Sequence, residues 1–118
     1  ERLEAGFQRM LGSLKKNQPL LIPLSGGYDS RLIACLCKKS GLENVTCFTY
    51  GREDSFEVAI SKKVASALGY KWYFVEYSEE VWNRFLSSKD FLQYCHFAGK
   101  GFLSHTINLI IGFEDLMR

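Results

Sequence analysis

Three short apolar runs, residues 20–24, 45–50 and 72–77, are each followed within a few residues by a stretch whose apolar positions recur at helical spacing. Runs of this length, bounded by glycine and small polar residues, read as buried strands rather than helices. Strands alternating with helices predict right-handed crossovers, hence a parallel sheet with helices on both faces. The expectation is a Rossmann-like α/β domain with about three strands. At 118 residues, 47% of them hydrophobic and 14% aromatic, the chain can fill one core and not two.

The remaining elements follow from the same periodicities. Leu3, Phe7, Met10, Leu11 and Leu14 mark an amphipathic entry helix over residues 2–14. Pro23 would ordinarily demote the first strand, but the run is short and apolar and leads straight into Ser25-Gly26-Gly27. Leu32, Ile33, Cys35 and Leu36 predict a helical stripe over residues 29–40, with Gly41 as its stop. Asp54 or Ser55 is the cap of a helix carrying Val58, Ile60, Val64, Ala65 and Leu68, which Gly69 ends. Ser78-Glu79-Glu80 opens another through Val81, Trp82, Phe85 and Leu86. After Asp90 the alternation stops. Phe91, Leu92, Tyr94 and Phe97, a turn at residues 99–101 and the apolar positions of residues 102–117 predict two more helices and no fourth strand.

Charge and cysteine usage narrow the function classes. Fifteen basic and 13 acidic residues leave a net charge of +2 without a basic arm, so no nucleic-acid partner is expected. Lys38-Lys39 and Lys62-Lys63 read as solvated helix faces. Cys35, Cys37, Cys47 and Cys95 form no CxxC pair and suggest neither zinc nor disulfides. Free, largely buried thiols, with no signal peptide and no membrane-spanning run, fit a cytoplasmic protein. A chain that begins at Glu1 and stops after an apolar helical pattern reads as a piece of something longer.

The chemistry concentrates where the first strand becomes a helix, in the sequence SGGYDS at residues 25–30. In a parallel sheet, ligands bind beyond the carboxyl ends of strands. Gly26 and Gly27 permit unusual backbone angles and carry no Cβ to hold a phosphate away, so successive N–H groups can converge on an anion. The amino end of the following helix adds positive potential, and the hydroxyls of Ser25 and Ser30 can donate. Asp29 would repel phosphate by itself. A carboxylate belongs there if Mg²⁺ bridges the two, because Mg²⁺ is commonly held by one or two carboxylates together with substrate phosphates. The competing reading is an ordinary tight turn with Asp29 or Ser30 as a helix cap.

SGGYDS resembles the SGGxDS signature of the N-type ATP pyrophosphatases, the PP-loop superfamily, and differs from the Walker sequence. PLSGGYDSRLIA together with FTYGREDSFEVAISKKVASALG is most similar to the synthetase domain of asparagine synthase (glutamine-hydrolysing) and its relatives, over roughly residues 19–85. The resemblance implies the adenine nucleotide alpha hydrolase-like fold, with ATP and Mg²⁺ as cofactors. A small carboxylate would be adenylylated, pyrophosphate would leave, and ammonia from glutamine would displace AMP. It assigns phosphate and metal roles to Ser25, Gly26, Gly27, Asp29 and Ser30, with Asp29 the metal ligand. It places Leu24, Thr49, Tyr50 and Gly51 beside the adenosine. No catalytic residue is assigned.

The chain departs from well-studied asparagine synthases at Tyr28, where they usually have Leu, and at Arg31, where they usually have Ser. Arg31 sets a permanent cation one turn from the phosphates, either assisting binding or facing solvent. Glu57 could reach nucleotide or metal, or simply complement a helix dipole. His96 and His105 read as structural histidines. Gly99-Lys100-Gly101 follows no strand and reads as a helix connection. A glutaminase cysteine and a later strand with a second glycine-acid motif are not in this sequence. The 118 residues alone are therefore expected to bind nucleotide weakly and not to turn it over. A sheet edge left unpaired would favour association, which leaves a homo-oligomer open. Other readings are a GMP synthetase, an argininosuccinate synthase, a tRNA-thiolating or lysidine-forming enzyme, and a non-catalytic nucleotide-binding module. A dinucleotide-binding Rossmann domain is disfavoured because GxGxxG does not follow the first strand.

Overall fold

The computed structural model describes residues 2–97, so the turn at residues 99–101, the helix over 102–117 and His105 lie outside the described residues. In chain order the elements are α1 (Arg2–Gly12), β1 (Leu20–Pro23), α2 (Tyr28–Lys39), β2 (Val45–Gly51), α3 (Phe56–Leu68), β3 (Lys71–Glu76), α4 (Glu79–Leu86) and α5 (Lys89–Phe97). The three strands form one parallel sheet in the order β1-β2-β3. Pro23 is the last residue of β1, paired with Phe48, where a missing N–H disturbs the ladder least. The Leu24 N–H then donates to the Phe48 carbonyl at 2.8 Å, carrying the pairing one residue further.

The helix boundaries have local chemical causes. The Ser55 hydroxyl caps α3 by accepting from the Glu57 N–H, and the Ser78 hydroxyl caps α4 by accepting from the Val81 N–H. Gly41 and Gly69 end α2 and α3 with φ of +77° and +71°, a conformation glycine adopts without steric penalty.

Strands in consecutive order, joined by crossovers of one hand, place both crossover helices on the same face. Accordingly Ile22, Val45 and Cys47 of β1 and β2 pack with Phe7 of α1, Ala34, Leu36 and Cys37 of α2, and Ala65 of α3 in one core. On the opposite face Phe48 and Val75 are buried. Tyr50 stacks on Tyr77, which meets Trp82 of α4 edge to face. Phe85 and its neighbours Val81, Phe91 and Tyr94 extend that second cluster into α4 and α5.

Three readings from periodicity need correction. The stripe expected from Leu32, Ile33, Cys35 and Leu36 is rotated: Ala34, Leu36 and Cys37 are buried, while Leu32, Ile33 and Cys35 are exposed. Ala34 and Cys37 are small, which suits a helix lying close on the sheet. The thiols consequently divide, with Cys37 and Cys47 buried, Cys95 intermediate and Cys35 exposed. In α1 only Phe7 is buried; Leu3 and Met10 face outward, and Leu14 lies past the helix end. The buried line of α3 is Val58, Ser61 and Ala65, with a serine inside it that the apolar count passes over.

Candidate functional site

The loop at residues 25–30 leaves the carboxyl end of β1 and enters α2. Its floor is the Leu24 carbonyl, which accepts from the Thr49 hydroxyl at 2.8 Å and the Ser61 hydroxyl at 3.1 Å, both side chains buried. Thr49 in turn accepts from the Trp72 indole N–H at 3.0 Å. One residue from each of β2, α3 and β3 thus fixes the point where the loop departs. Sequence reasoning missed Ser61 and Trp72. The available signal was Ser61 at helical spacing between Val58 and Ala65, because a hydroxyl on a buried stripe must find an acceptor.

The loop is internally tied. The Ser25 N–H donates to the Ser30 hydroxyl at 3.0 Å, the two serine hydroxyls lie 3.0 Å apart, and the Gly27 N–H donates to the Ser25 hydroxyl at 3.1 Å. Gly27 is the N-cap of α2, and no side chain bonds there. The competing reading, in which Asp29 or Ser30 caps the helix, is therefore not what is found. Both lie within its first turn, and no side-chain cap closes off the opening amides of α2. Asp29 is exposed in that turn, as a dipole-complementing acid or a metal ligand would be.

The glycines serve by their size and not by their backbone angles. Gly27 has φ −77° and ψ 167°, which any residue adopts, and Gly26 is not among the positive-φ glycines. A Cβ on Gly26 would stand 2.9 Å from Glu57 Cγ and 3.2 Å from Glu57 Cα, so the loop packs directly on the first turn of α3. On Gly27 the nearest atom would be the Ser25 hydroxyl oxygen, at 3.2 Å.

Leu24, Ser25, Thr49 and Tyr50 come together with Pro23 and Glu57 around a cleft of about 110 Å³ at the carboxyl edge of β1 and β2. Burial, and secondarily the Glu57 charge, raises the Tyr50 phenol above its ordinary pKa. Gly51 does not line this cleft. It ends β2 with φ +141°, and its carbonyl accepts from the Tyr77 N–H. The alternative in which Arg31 simply faces solvent is not what is found. Its guanidinium folds back onto the loop, Nε donating to the Gly27 carbonyl at 3.2 Å and Nη2 to the Gly26 carbonyl. Its Cζ lies 4.9 Å from the centre of the Tyr28 ring, so the two departures in this loop touch each other. His96 is exposed near the end of α5, far from the loop in sequence.

Among the described residues no three His, Cys, Asp or Glu side chains gather into a metal cage. The donor set instead fits an ion sharing its coordination with a substrate: one exposed carboxylate, Asp29, next to amides and hydroxyls suited to phosphate. No helix among the described residues is long and apolar enough to cross a membrane.

The chain is similar to known proteins. The tRNA-specific 2-thiouridylase MnmA of Lactiplantibacillus plantarum is 29% identical over 77 residues, which are 58% of this chain and 21% of that protein. The solved NH3-dependent NAD synthetase of Campylobacter jejuni, in complex with the nitrate ion, superposes with a TM-score of 0.61 at 18% identity over 98% of this chain and 49% of its own. This chain therefore spans about a fifth of the first and half of the second. The asparagine synthase family model matches residues 8–86, which include the loop, the cleft and the helices packed against them. On that match, which takes in most of the chain, the protein belongs to the asparagine synthase family within the N-type ATP pyrophosphatase superfamily.

Proposed function

We propose that the chain is the ATP-binding part of an AMP-forming ligase of asparagine synthase type. The observation that carries this reading is the loop at residues 25–30, which presents the uncapped amino end of α2, two serine hydroxyls and an exposed Asp29 beyond the carboxyl end of β1. The pyrophosphate part of ATP lies on Ser25, Gly26, Gly27 and Ser30. The nucleoside extends toward Leu24 and Tyr50. Thr49 supports that wall from beneath, its hydroxyl being committed to Leu24.

In the reaction a carboxylate oxygen of the acceptor attacks the α-phosphorus, the bond to the bridging oxygen breaks, and pyrophosphate leaves. Ammonia, from glutamine in the whole protein, then attacks the acyl-adenylate and AMP departs. This chain's residues bind the departing pyrophosphate and orient it, which is positioning and electrostatic stabilisation rather than proton transfer. Asp29 would hold Mg²⁺ together with phosphate oxygens, and the ion would supply neutralisation of phosphate charge. A cytoplasmic setting suits the four free cysteines, two of them buried.

A second reading, a tRNA-modifying member of the superfamily, draws support from the likeness to the thiouridylase. The two share ATP cleavage and differ in acceptor. The test is product analysis of the whole protein with ATP, ammonia and either small carboxylates or tRNA. AMP and pyrophosphate formed on addition of a carboxylate support the ligase reading. Formation only with tRNA supports the second, and ADP as product contradicts both.

A further inference from the structure

We propose that Arg31 is a positioning residue for the pyrophosphate cradle, a clip that holds the loop from behind and aims the first amide of α2 at the ligand. The inference rests on the phosphate-binding reading of residues 25–30. Its basis is the pair of bonds from one guanidinium to the carbonyls of Gly26 and Gly27.

A trans peptide is planar, and its N–H points opposite to its C=O. No cis peptide is present among the described residues. Fixing the Gly26 carbonyl therefore fixes the direction of the Gly27 N–H, and fixing the Gly27 carbonyl fixes that of the Tyr28 N–H. The Tyr28 N–H is the first amide of α2, where no side chain caps the helix. At the opposite edge of the first of these peptides the Gly27 N–H is held by the Ser25 hydroxyl, so Arg31 and Ser25 fix that peptide from both edges and keep the Gly26 carbonyl turned toward the guanidinium.

Consecutive glycines need such a device. With no Cβ on either residue, the peptide between them can rotate at little steric cost, and a rotated peptide would present a carbonyl to the phosphate. Arginine suits the task because its planar fork reaches two acceptors at once and stays charged at every working pH. Tyr28, with its ring against the guanidinium, covers the outer side of the clip. The cation also adds to the positive potential of the helix end without occupying the space where phosphate would lie.

The clip differs from a phosphate ligand in what a lysine can replace. A lysine offers a point charge and would preserve direct attraction to phosphate, but it cannot bridge two carbonyls in the same fixed plane. Methionine and lysine have helix propensities close to that of arginine, so neither substitution weakens α2 as a helix. The experiment is calorimetric titration of the protein with magnesium pyrophosphate for wild type, Arg31→Met and Arg31→Lys, with thermal melting of each. Affinity lost roughly tenfold in both variants, at unchanged melting temperature, is the expected result. Wild-type affinity in Arg31→Lys overturns the clip in favour of simple charge, and wild-type affinity in both variants removes any role for Arg31. Failure of the wild type itself to bind pyrophosphate overturns the phosphate-loop reading, and the clip with it.

Discussion

The Thr49 hydroxyl donates to the Leu24 carbonyl at 2.8 Å, joining the carboxyl ends of β1 and β2 directly beneath the loop. Thr49→Val keeps the shape of the side chain but removes that donor and leaves the Trp72 indole N–H without its acceptor. The expected loss of stability is about 1–3 kcal/mol, for two hydrogen bonds worth about 0.5–1.5 kcal/mol each. Urea unfolding followed by tryptophan fluorescence measures it. Thr49→Ser, which keeps the hydroxyl, should recover most of the loss.

Gly26 and Gly27 should respond differently to alanine. At Gly26 the new methyl would meet the backbone of α3 at Glu57, so loop and helix must separate. We expect Gly26→Ala to cost roughly 1–3 kcal/mol, the usual range for overpacking, and to weaken pyrophosphate binding. Gly27 has ordinary angles and only the Ser25 hydroxyl nearby, so Gly27→Ala should stay within about 1 kcal/mol of wild type. Equal losses at both positions would contradict the close-approach account.

Much of this was legible in the sequence because it depends on local chemistry. SGGYDS between an apolar run and a helical stripe locates the loop, and Ser55, Gly69 and Ser78 mark helix ends through hydrogen bonds made within a few residues. What was not legible depends on contacts distant in sequence. The orientation of α2, with Ala34 and Cys37 inward, is set by packing against β1 and α3. The need for Gly26 comes from Glu57, and the anchoring of Leu24 comes from Ser61 and Trp72. Arg31 was ambiguous for a related reason: its partners are carbonyls, which every residue has, so no spacing of side chains reveals them.

Alkaline stability should depend on Tyr70. Its hydroxyl donates to the Leu42 carbonyl at 2.8 Å, and burial is the main influence raising its pKa to about 12. The unfolded phenol ionises near 10. The native state therefore favours the protonated form, and this contribution is complete below about pH 10 and is lost as pH rises toward 12. Cys47, raised to about 11 by its burial, adds to the same trend from about pH 9 upward. Denaturation of wild type and Tyr70→Phe between neutral pH and pH 12 should show the variant less stable at neutral pH and less steeply destabilised by alkali.

Asp29→Asn should separate metal from phosphate. If the carboxylate holds Mg²⁺ beside the nucleotide, wild type binds ATP more tightly as Mg²⁺ is added and the variant loses most of that response. Without Mg²⁺ the variant should bind ATP at least as well as wild type, because a charge repelling phosphate has been removed. Titrations with and without Mg²⁺ check both signs.

The central claim is that residues 25–30 form the seat of the pyrophosphate. The most direct measurement is a backbone amide NMR titration of the protein with magnesium pyrophosphate. The account predicts saturable shifts centred on the amides of Ser25 through Ser30, largest at Tyr28. Shifts centred instead on Lys15, Lys16 and Asn17 at the opposite end of the sheet, or no saturable shift in residues 25–30, would contradict it.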